Sequence, residues 1–455
     1  MPILSLESYV SNYSDTDLST NDSAVNSAHD VDFAPEEAIR ALDRQHQDTS
    51  RALETVNTLD GIVNILENNP EGLSSGAGTA LAVAVEAICS INVFSSDKVR
   101  IPAFEEFSTR NHKKAVAQQA LEGIVEFGKK VWDYLINAIK AVIGFFKELL
   151  FGQEANNKKI SEHVDECKKE QQELKKETKE IEQTFAQAKR EGNPLTVSSA
   201  QITNALKING KVPTGPALIT ELRNHFKLMD KFDYAIKMSE NKILSLFEIA
   251  LRSIHKDGTF FQDAINDCQS LICSNDFFKK ANNQKEFGEL PAGFGMFEAP
   301  LIFGDRTAYR TAIIGQADVS EKSIRFFIAK SENAPEDVEN IPLPVLQINE
   351  VEDALTIVRK HVQDRTGTIR QRQDTQSRLE RLQKDIVRIR DGASYQERSS
   401  RRAKVMFHVF NLYSEYRTAM CGKLPAYDER IVRASMAYVD VSLKAMKKIV
   451  NKEVG

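Results

Sequence analysis

Histidines, cysteines and acids are the residues of this 455-residue chain best suited to chemistry, and their spacing is read first. None of the eight histidines lies four residues from another. No H-x-x-x-H pair therefore offers two imidazoles to a metal from one helix face. The five cysteines are Cys89, Cys167, Cys268, Cys273 and Cys421. Their number is odd and no two form C-x-x-C, which reads as reduced thiols rather than a disulfide framework. Cys268 and Cys273 are close in sequence, but no second pair completes a zinc set. There is no G-x-x-x-x-G-K-[ST] phosphate loop and no G-x-S-x-G nucleophile elbow. Gly293 and Gly295 begin a G-x-G, yet Glu298 stands where a third glycine belongs, so the pair reads as a flexible hairpin turn. Carboxylates are plentiful, but the two acids of a glycosidase can lie anywhere in a chain, so abundance names no site. The reading is of a protein that is not an enzyme, with no cofactor, no metal set and no small-molecule substrate.

One short pattern appears twice, and as a bare small-x-Glu signal it is unspecific. Ser5-Leu6-Glu7-Ser8-Tyr9 and Ala103-Phe104-Glu105-Glu106-Phe107 share a form: small residue, apolar residue, glutamate, any residue, aromatic. A protease needs exposed, extended backbone, and both copies fall in predicted loops. Other small-x-Glu matches, such as Ala120-Leu121-Glu122, fall in predicted helices. Ala103, Phe104 and Glu105 are the candidate cleavage site, and Ser5, Leu6 and Glu7 a weaker one.

The charge is divided at the same place. Residues 1–105 carry five bases against 17 acids, a net −12; the rest carries 55 bases against 48 acids, a net +7. The whole-chain balance of −5, with 41% apolar and 27% charged residues, is ordinary for a globular protein. The stretch up to Asp32 is dominated by Ser, Asn, Asp and Thr and cannot bury enough apolar surface to order itself. No basic-then-apolar leader and no run of about 18 apolar residues is present, so neither a secretory signal nor a membrane span is expected.

The elements that would position these residues are mostly helical. Pro35-Glu36-Glu37 starts a predicted helix over 35–68, with proline and acids suited to the first turn. Asn69-Pro70 breaks it, and an alanine-rich helix follows over 76–92. The spacing of Leu121, Ile124, Val131, Leu135, Ile139, Val142, Phe146 and Leu149 predicts a helix over 113–151. Its apolar face could lie on a membrane, but charges within it favour a core helix. Over 157–190, Ile160, Cys167, Leu174 and Ile181 recur every seven residues, a weak coiled-coil seam. Helices are also expected at 198–207, 216–256, 260–273, 349–392, 396–420 and 427–452, with Gly422 and Pro425 marking a turn between the last two. Leu379, Leu382, Ile386 and Ile389 make a second seam. Between them, Thr311–Ile314 and Ser323–Ala329 read as a small antiparallel sheet. The arginines of 365–402 are interleaved with acids and read as a solvated helical face rather than a nucleic-acid stripe.

The division is therefore 1–34 disordered acidic tail, 35–105 helical propeptide-like segment, 106–285 helical body, 286–346 β insertion and 347–455 C-terminal helical segment. The fold class is mainly α: an elongated helical bundle with coiled-coil-like helices and a small inserted antiparallel sheet.

The stretches Gly72–Ile88, Ile101–Ser108, Gln119–Ile124 and Lys130–Ala141 resemble the internal head proteins of giant, phiKZ-like tailed phages. The step Tyr438-Val439-Asp440-Val441-Ser442-Leu443 fits as well. The resemblance implies a virion structural protein, made in the bacterial cytoplasm and packaged inside the head with the genome. It implies a propeptide cut after a small-x-Glu motif by a prohead protease. Its partners would then be other head proteins, that protease and, without sequence specificity, the packaged DNA. A protein ejected with the DNA that acts on a membrane through helix 121–151 is the less favoured alternative.

Overall fold

A computed structural model of the chain describes residues 44, 48, 51, 110–190, 195–252, 278–281, 294–313, 326–330, 341–391, 410, 414 and 422–451. The predicted helices at 35–68, 76–92, 260–273 and 396–420 lie wholly or almost wholly outside these residues, as do both candidate cleavage sites.

The described chain is mainly helical. Helix α1 runs Arg110–Leu174, passes through a short 3-10 turn at Lys175–Glu177 and continues as α2, Thr178–Arg190. Strand β1 (Thr196–Ser198) and helix α3 (Ala200–Leu206) precede α4, Pro216–Arg252. Four strands follow: β2 (Lys279–Lys280), β3 (Phe294–Pro300), β4 (Arg306–Ile313) and β5 (Phe326–Lys330). Strand β6 (Pro342–Pro344) leads into α5, Ile348–Asp391, and the last helix is α6, Leu424–Val450.

At 65 residues, α1 is roughly 100 Å long. The expected break between 151 and 157 is absent, because one seam runs through it. Ile136, Ile139, Ile143, Phe146, Leu150, Gln153, Asn157, Val164, Cys167, Gln171 and Leu174 are all buried, at alternating three- and four-residue steps with only the half-buried Ile160 between. From Ile136 onward, the apolar face open to a membrane reading is spent on the core. Helix α5 has a matching seam: Val351, Leu355, Val358, Val362, Arg365, Ile369, Arg372, Gln376, Leu379 and Ile386. Three of these are polar, which is why only its end was legible.

Side-chain bonds give the helix directions. Gln376 Nε2 donates to the Ile143 carbonyl at 2.7 Å, Arg359 pairs with Asp165 at 3.2 Å, and Lys175 with Glu352 at 2.7 Å. Partner numbers fall as α1 advances, so α1 and α5 are antiparallel. Asn156–Glu429, His163–Asp440 and Glu170–Lys447 rise together, so α1 and α6 are parallel. Helix α5 packs on α1, α4 and α6. Sixteen of the 27 residues of α6 are buried, making it the central helix.

The sheet β2-β3-β4-β5 is antiparallel throughout. Gly295 pairs with Ala312 inside it, which corrects the hairpin-turn reading of the G-x-G: Gly295 lies in a strand, where the absence of a side chain is tolerated. The true turn is Leu301–Asp305. Gly304 and Asp305 there take positive φ, 70° and 50°, the left-handed region open to glycine and, less readily, aspartate. A second sheet joins β1 to β6, and its tail is fastened to α6. The Tyr438 hydroxyl donates to the Pro344 carbonyl, and the Leu346 amide donates to the Ser442 hydroxyl at 3.1 Å. The Tyr438–Leu443 step thus sets two hydroxyls one helical turn apart against one strand.

Gly422 and Lys423 lead helically into α6, and Pro425 sits in its first turn, where its missing N–H costs nothing. The expected turn between the last two helices is not at Gly422 and Pro425, and the residues before Gly422 lie largely outside the described ones.

Candidate functional site

Two clusters of titratable side chains meet on α6. The first lies where α4, α5, α6 and the β3–β4 turn converge. Asp428 accepts from His225 Nε2 at 3.1 Å and from His361 Nε2 at 2.8 Å, and Arg365 Nη1 stands 3.3 Å away. All four side chains are buried. Phe226 stacks on His361 with ring centroids 3.9 Å apart. Phe303, at the tip of the β-turn, and Tyr427 flank His225 at 5.6 Å and 5.4 Å.

Position follows from local sequence. His225 lies one turn from Leu222 and Met229 on the apolar face of α4, and His361 and Arg365 occupy consecutive turns of the α5 seam. The turn is aimed by its own ties: Gly304 N donates to the Lys207 carbonyl at 2.8 Å, and Gly210 N to Asp305 Oδ2 at 3.1 Å.

Burial disfavours the Asp428 charge, but attraction from His361 and Arg365 and the two imidazole hydrogen bonds outweigh it, holding its carboxyl well below the usual range. Burial lowers the pKa of His225, with Asp428 opposing in part. A neutral His225 that donates from Nε2 leaves Nδ1 without a partner, and Nδ1 of both histidines is buried and unbonded. A cavity of about 20 Å³ adjoins Asp428, Arg365, Arg372 and Asp233. That is room for about one water and for no substrate.

The arginines of α5 need correcting. Arg365 and Arg372 are buried and Arg378 is mostly so, each paired: Arg372 with Asp233 at 2.6 Å, and Arg378 with Glu248 at 2.6 Å. Only part of the run, including Arg370, Arg381 and Arg388, is the exposed face expected.

The second cluster joins α1 to α6. His163 Nε2 lies 2.8 Å from Asp440 Oδ2, and Cys167 Sγ donates to Asp440 Oδ1 at 3.0 Å. Sγ and Nε2 are 3.8 Å apart. Among the described residues this is the one group of His, Cys and acid placed closely enough to hold a metal ion. Burial first, then the Asp440 charge, pushes the Cys167 thiol up, so it is protonated at neutral pH. The hydrogen bond that His163 donates to Asp440 raises its pKa, against burial. His163 and Cys167 stand at i, i+4, a signal that a search restricted to histidine pairs misses. Asp440 lies 273 residues beyond Cys167, and no spacing rule reaches it.

Both clusters belong to the inside of a helical bundle, not to an open cleft. Such a molecule is a helical protein whose polar chemistry holds its own helices together. Over residues 24–405 the chain matches the family model of the phiKZ-like phage internal head proteins, and it belongs to that family. The protein is accordingly a component of the interior of the phage head. No curated protein and no solved structure matches it. Among the described residues no helix is long and apolar enough to cross a membrane.

Proposed function

We propose that this internal head protein works by packing rather than catalysis, and that a prohead protease matures it by cutting after a small-x-Glu motif. The cut falls after Glu105, with Ser5-Leu6-Glu7 the weaker site. The observation that carries this reading is the charge division: net −12 up to Glu105 and net +7 beyond it. An acidic front keeps the precursor off DNA during assembly, and its removal leaves a basic body suited to lie beside packaged DNA. Contact of that kind is electrostatic and weakens as salt rises. Other head proteins are the remaining partners. Glu105 stands five residues ahead of α1, so the cut spares every helix from α1 to α6.

The test is co-expression with the prohead protease. Wild-type chain should lose a segment of 105 residues, and Glu105→Gln should stay full length while Glu7→Gln is cut normally. A Glu105→Gln chain trimmed to the same size would sink the assignment. The membrane-active alternative would need Ile136, Ile139, Ile143 and Phe146 to leave the core they fill.

A further inference from the structure

We propose that His163, Cys167 and Asp440 bind a zinc ion that clamps α1 to α6. The three residue types are those zinc prefers, and each offers one donor atom. All three donors lie within 4.8 Å of one another. Zinc bonds of about 2.0–2.3 Å at tetrahedral angles separate neighbouring ligand atoms by roughly 3.3–3.6 Å. Asp440 Oδ2 lies 2.8 Å from His163 Nε2, Asp440 Oδ1 lies 3.0 Å from Cys167 Sγ, and Sγ and Nε2 are 3.8 Å apart, so side-chain rotation can bring one carboxylate oxygen, the imidazole and the thiol around a single ion.

The surroundings favour a cation. Glu166 and Glu170 add negative charge beside Cys167. Glu166 Oε2 lies 3.7 Å from His163 Nδ1, the far side of the ring. That is where a carboxylate steers the other nitrogen toward a metal. Cys167 is deeply buried, whereas His163 is 32% exposed, so the ion has access and a water completes the fourth position. On binding, the Cys167 thiol releases its proton to solvent as the Zn–S bond forms, the His163 ring proton passes from Nε2 to Nδ1 on the Glu166 side, and no electron changes hands. A thiolate and a carboxylate then neutralise the ion within a half-buried site.

The experiment uses the full-length chain stripped with chelator, reduced, and titrated with Zn²⁺ and with Co²⁺. One equivalent should bind with proton release, and Co²⁺ should give a thiolate charge-transfer band. Cys167→Ser should lose the band and weaken Zn²⁺ binding by more than about 100-fold, beyond the roughly 10–100-fold of an outer partner, which Glu166→Gln should show. Asp440→Asn serves as the second variant, with circular dichroism confirming that each is folded. A chain in which the other four cysteines are serine should keep the band. No band in the wild type, or a band that survives Cys167→Ser, overturns the proposal.

Discussion

Tyr427 and Phe303 hold each other through the backbone of one and the hydroxyl of the other. The Tyr427 hydroxyl donates to the Phe303 carbonyl at 2.9 Å and accepts from the Phe303 amide at 3.2 Å. A β-turn is thereby fixed into the helical core, 124 residues away in sequence. Burial pushes the Tyr427 hydroxyl far up, so it remains a donor throughout the neutral range. The small sheet is thus fastened to the bundle at its tip.

Phe303 is fully buried, and Phe303→Ala should cost about 3–5 kcal/mol in chemical denaturation. Tyr427→Phe keeps the ring but leaves two buried backbone groups unpaired, and should cost about 2 kcal/mol. If Phe303→Ala denatured at the wild-type midpoint, the turn would not be part of the cooperative core.

Asp428 neutralises a junction of two imidazoles and a guanidinium. Asp428→Ala should destabilise by about 3–5 kcal/mol, because Arg365 keeps its charge in a site with little water. Arg388→Ala, on an exposed pair with Asp385, should change stability by less than about 1 kcal/mol. Equal effects from the two would show that the junction is solvated in solution.

Acid should weaken the fold in two stages. The folded pKa of His225 lies below the ordinary 6.5, so between the two values the unfolded chain binds a proton that the native chain refuses. Stability therefore falls as pH falls through that window. Asp428 adds a second loss as pH drops below about 4, toward its depressed folded value. His163 acts oppositely and elsewhere: its raised pKa gives stability that is complete below 6.5 and lost as pH rises through the folded value. Urea midpoints measured with chelator from pH 6.5 downward should decline, and His225→Asn should flatten the first stage. An unchanged slope in that variant would assign the decline to other groups.

How much of this was legible depends on which residues carried the pattern. Helix α1 announced itself through isoleucine, leucine and phenylalanine at helical steps. Seams crossed by polar residues did so less: Gln153 and Asn157 on α1, and Arg365, Arg372 and Gln376 on α5, occupy core positions while scoring as surface. Polar residues at such positions weaken an apolar seam but specify register. Short strands such as β1 are defined by a partner over 140 residues away, Thr196 opposite Pro344, and have no local signature. The junction was illegible for the same reason, since His225, His361 and Asp428 come from three helices. What distinguishes α6 is the density of chemistry along it: Asp428 holds α4 and α5, Asp440 holds α1, and Tyr438 and Ser442 hold β6 and its tail.

The intact mass of the protein released from purified particles tests the central claim most directly. The account predicts a chain that begins at Glu106, basic and lacking the acidic front. A chain in the head that still begins at Met1 would contradict it.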